Sequence, residues 1–226
     1  AKAVHSIGAS ELIGTEATFK NAKQVLIPNG QELLEKQGDS IKQNEFPIFG
    51  FVGRLDKHTK GLDLLLNGFA QFLNQKGSPA ELWLLGDGPD RSELEALAQK
   101  LNIDKQVQFK GAVYGTEKMN LMQQFDYLCL NSRNEGLPGV VLEAAAVGVP
   151  AIVSQDTNLS SYINTYQSGI VLSKNTAEQI AKALFQGAKN RTSGLLNQQS
   201  ENAQEMIVRD FCWKHIAQQH LAVYES

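Results

Sequence analysis

From residue 47 onward, short and mostly apolar runs alternate with longer stretches whose apolar residues recur every three or four positions. The short runs are Pro47 to Val52, Glu81 to Leu85, Gln106 to Phe109, Tyr127 to Leu130, Ala151 to Ser154 and Ile170 to Leu172. Runs of this length that are apolar on both faces fit parallel strands covered on both sides. Between them, Leu62, Leu65, Leu66, Phe69 and Phe72 recur at helical spacing, as do Leu94, Leu97 and Leu101, and later Ile180, Ala183, Leu184 and Phe185. Each set gives one face to pack on a sheet. The alternation predicts an α/β fold made of βα units around a parallel sheet.

Residues 1–46 lack that pattern. Ile27-Pro28-Asn29-Gly30 is a turn signal, and a polar, glycine-containing stretch follows to Glu45. We read this part as a connecting segment with one helix around Ala9 to Phe19. Glu201 to Tyr224 is again helical, with Phe211-Cys212-Trp213 marking a break before a last helix. No internal repeat or low-complexity tract occurs.

Composition narrows the class. A chain of 226 residues can bury a sizeable core, and 42% hydrophobic with 20% charged residues argues against disorder. The formal charge of -3 and the lack of a basic run give no reason to expect a nucleic-acid partner. Cys129 and Cys212 form neither a disulfide framework nor a metal-ligand spacing, so a reducing compartment is expected. His5, His58, His215 and His220 show no metal spacing either. No stretch has the make-up of a signal peptide, and no uncharged apolar run reaches the roughly 20 residues of a membrane helix. The most apolar stretch, Gly136 to Val153, contains Glu143 and Pro150, which fits helix, turn and strand. Met119 and Met122 read as core fillers, and Asp126 as a structural cap or turn residue.

If the strands are parallel, the residues that follow each of them share one edge of the sheet. These are Gly53-Arg54, Gly86-Asp87-Gly88-Pro89, Gly111-Ala112-Val113, Asn131 to Gly139, and the segment from Ser154. Ligands of open α/β sheets bind along that edge. Arg54 and Lys60 flank a loop that leads through Gly61 into a helix, where a fork donor and a point charge suit a diphosphate. The same two residues also read as solvated loop cations. Glu135 would lie in a loop and Glu143 about a turn into the next helix, two acceptors for a polyhydroxylated ligand. Their plainer readings are a solvated acid and a carboxylate that complements the helix dipole. Nothing in their spacing makes them face each other at the roughly 5 to 9 Å of a glycosidase pair. A dinucleotide fingerprint would need glycine where Arg91 stands, a P-loop is absent, and no serine has a nucleophile-elbow context.

Taken together, these segments resemble the carboxyl-terminal domain of retaining GT-B glycosyltransferases of family 4, also called group 1. The matching stretches are Phe51-Val52-Gly53-Arg54-Leu55 with Lys60-Gly61, Leu84-Leu85-Gly86-Asp87-Gly88-Pro89, Val107-Gln108-Phe109-Lys110-Gly111, and Asn134 to Glu143 continuing to Gly148-Val149-Pro150. The resemblance implies a Rossmann-like, doubly wound parallel sheet flanked by helices, one half of a GT-B fold. It implies a UDP-, GDP- or ADP-sugar as donor, with no cofactor and no metal ion. Arg54 and Lys60 fall where the family holds the donor diphosphate, and Gly53 opens that loop. Glu143 falls on the residue that accepts from the ribose hydroxyls, and Glu135 on the one that meets the sugar hydroxyls. The segment Gly136, Leu137, Pro138 and Gly139 would meet the donor, bringing the backbone N–H groups of Gly136, Leu137 and Gly139 to sugar and phosphate, and Val113 lies where the backbone meets the base. Arg54, Lys60 and Glu135 are thus the catalytic candidates.

By the same resemblance, residues 1–46 are the remnant of an amino-terminal acceptor domain with its linker, 47–200 bind the donor, and 201–226 are helices that return toward the missing domain. A glycan or lipid-linked acceptor would bind through that domain. The fragment is expected to bind donor and to transfer poorly or not at all. A cytoplasmic location is expected, with peripheral association of the full-length protein at the inner face of the membrane. Two other classes fit the residues: a non-catalytic nucleotide-sugar-binding module and a GT-B-like nucleotide-sugar epimerase.

Overall fold

A computed structural model of the chain describes residues 3–33, 44–75 and 79–225. The first part holds β1 (Ala3–Ser6), α1 (Ala9–Thr18) and β2 (Lys23–Leu26). The main body follows with β3 (Ile48–Val52), α2 (Lys57–Lys60), α3 (Leu62–Asn74), β4 (Glu81–Leu85), α4 (Arg91–Lys100), β5 (Val107–Gly111) and α5 (Gly115–Met122). It continues with β6 (Tyr127–Leu130), α6 (Gly139–Ala146), β7 (Ala151–Val153), α7 (Ser160–Tyr166), β8 (Gly169–Val171), α8 (Ala177–Ser193) and α9 (Leu195–Met206). A π-helical turn, Ile207–Phe211, leads through Cys212 into α10 (Trp213–Tyr224).

The six-stranded sheet has the order β5-β4-β3-β6-β7-β8 and all its pairs are parallel. Each strand expected from an apolar run is present. Every residue of β6 and β7 is buried, and so is β3 up to Phe51. Strands buried throughout must be covered on both faces, which gives a Rossmann-like sheet flanked by helices. The chain winds outward from β3 to β5, crosses to the other side of β3, and then winds outward again from β6 to β8. The direction reverses between β3 and β6, so the ends of these two strands open a crevice between diverging loops.

Close packing fixes that central pair. Gly187 of α8 lets the rings of Tyr127 and Phe49 approach, since a Cβ there would stand 2.9 and 3.3 Å from them. Phe49 also meets Phe72 of α3 edge-on at 5.8 Å. At the amino ends, Asp126 Oδ2 accepts from the Ile48 N–H at 2.7 Å, the Asp126 N–H donates to Ile48 O at 2.8 Å, and Arg191 Nε lies 3.1 Å from Oδ1. Burial raises the Asp126 carboxyl, while the Ile48 hydrogen bond and Arg191 pull the other way. Asp126 is structural, as its place before a strand suggested.

One buried polar network joins β6 to the helices. Tyr127 hydroxyl donates to Gln199 Oε1, and Asn190 Nδ2 donates to both at 3.0 and 3.2 Å. Gln199 Nε2 in turn reaches Gly169 O at 3.1 Å. Burial pushes the Tyr127 phenol up to about 12, so it stays a donor through the neutral range.

Residues 1–46 depart from the connecting segment expected of them. The helix is there, but β1 and β2 flank it as a parallel pair. These strands are four residues each and mostly half exposed, so they carry no continuous apolar run to be read. The polar stretch before Glu45 falls largely on 34–43, outside the described residues. α10 packs back on this first unit. Gly30 lies against the Trp213 ring, Gln31 N–H donates to Phe211 O at 2.7 Å, and the His5 and His220 rings meet at 4.8 Å. Among the described residues no helix is long and apolar enough to cross a membrane.

Tyr127→Phe removes the donor to Gln199 and is expected to cost about 1 to 2 kcal/mol. Thermal unfolding should show a fall of roughly 2 to 8 °C. An unchanged midpoint would show that the network contributes no stability.

Candidate functional site

The loops after β3 and β4 are packed backbone on backbone. Gly53 N–H donates to Leu85 O at 2.9 Å and Leu55 N–H to Asp87 O at 3.0 Å. Gly86 has φ +142, and a Cβ there would sit 1.8 Å from Gly53 O. A side chain at Gly86 would therefore pry the two loops apart. From this fixed base Arg54 projects outward, 65% exposed, and pairs with Asp56 at 2.5 Å.

The stretch between Arg54 and Lys60 is a one-turn helix, where the sequence suggested only a loop. Asp56 caps it by accepting from Thr59 N–H at 2.9 Å. That hydrogen bond, opposed by burial and aided by Arg54, lowers the Asp56 carboxyl below its usual value. Gly61 ends the turn at φ +65, with its Cβ position 2.6 Å from Asn131 O. Only glycine fits there, and the tight exit aims Lys60 across the β3–β6 crevice.

Lys60 Nζ donates to Glu135 Oε1, and Ser132 Oγ donates to the same oxygen at 2.8 Å. The two side chains are only 23% and 15% exposed. Arg133 holds the loops in this relation. Its guanidinium forks onto Asp63 at 3.1 and 3.0 Å and also reaches the carbonyls of Lys57 and His58 at 3.1 and 2.7 Å. Its own N–H donates to Thr59 O at 2.9 Å. Asn131 Nδ2 donates to Gly61 O at 2.7 Å, so the loop after β6 grips the end of α2 at several points.

Glu143 lies one turn into α6, and both its oxygens accept from Lys118 Nζ at 2.8 Å. It is thus engaged by a lysine of α5, beyond the first-turn position that would make it a dipole-complementing acid. α5 follows the connection that contains Val113, which is half buried against the core. In the approach to α6, Pro138 is buried while Gly136 and Gly139 are exposed. Among the described residues the N–H groups of Gly136, Leu137 and Gly139 have no protein acceptor. Free N–H groups at a helix start are donors of the kind that can meet an anion or a hydroxyl.

The structure therefore joins Lys60 to Glu135 directly and sets Glu143 with Lys118 on the following helix. No contact joins the two carboxylates, and none joins Arg54 to Lys60 or Glu135 among the described residues. The sequence reading missed Lys118, Ser132, Arg133 and Asp63. Ser132 and Arg133 stood beside the motif, but the partners of Lys118 and Arg133 lie 25 and 70 residues away. A cavity of about 610 Å³, lined by residues such as Gln124, Pro150, Leu196 and Ser200 around the Asp126–Arg191 pair, opens at the opposite edge, where strands begin. Its walls carry the structural pair just described, and the candidate site lies at the other end.

Residues 34–206 match the family of glycosyl transferases group 1, and the chain belongs to it. It is 27% identical over 219 residues to the D-inositol 3-phosphate glycosyltransferase of Corynebacterium urealyticum, covering 94% of this chain and 47% of that protein. The chain spans about half the length of the curated relatives it matches. It superimposes with a TM-score of 0.86 and 18% identity on a TarM variant of S. aureus solved in complex with Fondaparinux, alpha-GlcNAc-glycerol and UDP, over 100% of this chain and 44% of that one. On Anabaena HepE in complex with UDP-glucose the TM-score is 0.83 with 20% identity, over 100% and 64%. The fold is thus of the GT-B, Rossmann-like kind.

Because the folded value of Asp56 is depressed, its contribution to stability is complete above the ordinary carboxylate value of 3.8 and is lost as pH falls through the folded value. Asp56→Asn keeps a cap acceptor without the charge. The melting gap between wild type and variant should be present at neutral pH and close on acidification below that ordinary value. A gap that stays constant down to the lowest pH at which both fold would contradict the assignment.

Proposed function

We propose that the β3–β6 crevice binds a nucleotide-diphosphate sugar and that the whole protein transfers the sugar to an acceptor with retention of configuration. The observation that carries this reading is the Lys60–Glu135 pair, set at the reversal point of a group 1 glycosyltransferase fold below unpartnered backbone N–H groups. Lys60, with Arg54 swung from Asp56, would neutralise charge that grows on the diphosphate as the bond from the anomeric carbon to its oxygen breaks. The acceptor hydroxyl oxygen then bonds to that carbon on the same face, its proton passes to the departing diphosphate oxygen, and the nucleoside diphosphate leaves. Cations that act on developing charge stabilise the transition state more than the ground state.

Glu135 would accept from hydroxyls of the donor sugar and Glu143 from those of the ribose, each exchanging a lysine contact for ligand hydrogen bonds. The N–H groups from Gly136 to Gly139 would meet sugar and phosphate, and the backbone at Val113 the base, with Gly53 shaping the diphosphate loop. Neighbours solved with UDP favour uridine over guanosine or adenosine. Residues 47–200 would form the donor half, 1–46 would belong to the acceptor half and its linker, and 201–226 would return to it. A glycan or lipid-linked acceptor fits relatives that act in lipopolysaccharide core biosynthesis. A cytoplasmic enzyme working at the inner membrane face fits such an acceptor.

Calorimetric titration with UDP, GDP and ADP tests this reading. One nucleotide should saturate the chain, and Glu143→Ala should weaken it about tenfold or more, since a charge-assisted hydrogen bond contributes about 1.5 to 3 kcal/mol. Unchanged affinity in a folded variant would overturn the role given to Glu143.

A further inference from the structure

Asn158, on the connection between β7 and α7, shares its amide between two distant parts of the chain. Nδ2 donates to Gly136 O at 3.0 Å, to Glu135 O at 3.3 Å and to Ser10 Oγ at 2.8 Å. Oδ1 accepts the Ser10 N–H at 3.1 Å. α1 has no side-chain cap at Gly8, so Asn158 supplies from 148 residues away an acceptor that helix starts usually find locally. Gly8 permits the approach, because a Cβ there would stand 2.5 Å from Asn158 Nδ2.

The loop side of this bridge bears on ligand binding. In a planar trans peptide the C=O and the N–H point in opposite directions. The Glu135 carbonyl belongs to the same peptide as the Gly136 N–H, and the Gly136 carbonyl to the same peptide as the Leu137 N–H. By holding both carbonyls, Asn158 turns these unpartnered N–H groups away from itself and fixes their direction. At Gly136 itself the loop is open, since a Cβ there would meet nothing within 4 Å.

We propose that Asn158 is a positioning residue that couples the sugar-facing loop at Glu135–Gly136 to the unit formed by β1, α1 and β2. The inference rests on the nucleotide-sugar reading of the crevice. Donor sugar held by the aimed N–H groups fixes the loop, the fixed loop holds Asn158, and Asn158 holds the start of α1. By linkage, docking of α1 favours donor to the same extent that donor favours docking of α1.

The test uses this chain, Asn158→Ala, and Asn158→Asp, which keeps an acceptor for the Ser10 N–H and loses the donor to the two carbonyls. Titration with UDP, GDP and ADP and their glucose esters is combined with hydrogen exchange at the Ser10 and Leu12 amides. In wild type the bound glucose ester should slow exchange at these amides about fivefold or more. Both variants should lose that donor-dependent slowing and bind the ester about tenfold more weakly, as expected for loss of preorganised hydrogen bonds. A merely structural role would change exchange at α1 equally with and without donor. Slowing that persists in both variants, or is absent from a wild type that binds the ester, overturns the coupling alone. A folded wild type that binds none of the nucleotides or esters overturns the donor-site reading, and the coupling with it.

Discussion

Strands β3 and β6 meet over two residue pairs, Phe49 with Tyr127 and Gly50 with Leu128, and the crest of the molecule depends on this short contact. It is held at the amino ends by Asp126 against the Ile48 backbone and at the carboxyl ends by Asn131 against Gly61. Between these points the fit is steric. A Cβ on Gly50 would stand 2.0 Å from the Phe125 ring, so glycine is what lets the ring lie against the strand. Because the winding reverses at this pair, the loops on either side diverge and leave room that no other neighbouring strands of the sheet offer. The end of α2 and the loop after β6 face each other across that room.

Electrostatics then decides how the crevice stays stable without a ligand. Glu135 is largely enclosed and Glu143 half-buried, and a carboxylate drawn out of water and left unpaired is costly. Each is held by a lysine from a different element, Glu135 by α2 and Glu143 by α5. The pairs orient four charged groups in advance, and under the proposed function a polyhydroxylated anion would take over contacts from both partners, a hydroxyl donating where the ammonium did and a phosphate accepting where the carboxylate did. Arg133 belongs to the frame of this arrangement, since it spends its donors on Asp63 and on the carbonyls at the end of α2.

The strands of the sheet were legible because continuous apolar runs such as Tyr127 to Leu130 have few other uses. The helices were legible from periods such as Leu62, Leu65, Leu66 and Phe69. The first unit was not, because β1 and β2 contain Lys23, Gln24 and His5 and stay half exposed. Lys60, Glu135 and Glu143 could be singled out from family-like stretches, yet their partners could not. Lys118 is one of two charged residues on a short helix, and Asn158 is one asparagine in a polar loop. What gives each its role is a contact with residues far away in the chain, which exists only once the order β5-β4-β3-β6-β7-β8 is known. Arg54 and Lys60 flank one loop as candidate cations for a diphosphate, and the structure rests Arg54 on Asp56 and Lys60 on Glu135.

Backbone NMR mapping of the chain during titration with UDP, or with GDP or ADP if UDP does not bind, tests most directly that ligand enters at the reversal point of the sheet. The account predicts that the largest shift changes fall on Gly53 to Gly61, Val113 to Lys118 and Ser132 to Glu143. Changes concentrated instead on Gln124, Asp126, Arg191 and Ser200, around the cavity at the opposite edge, would contradict it.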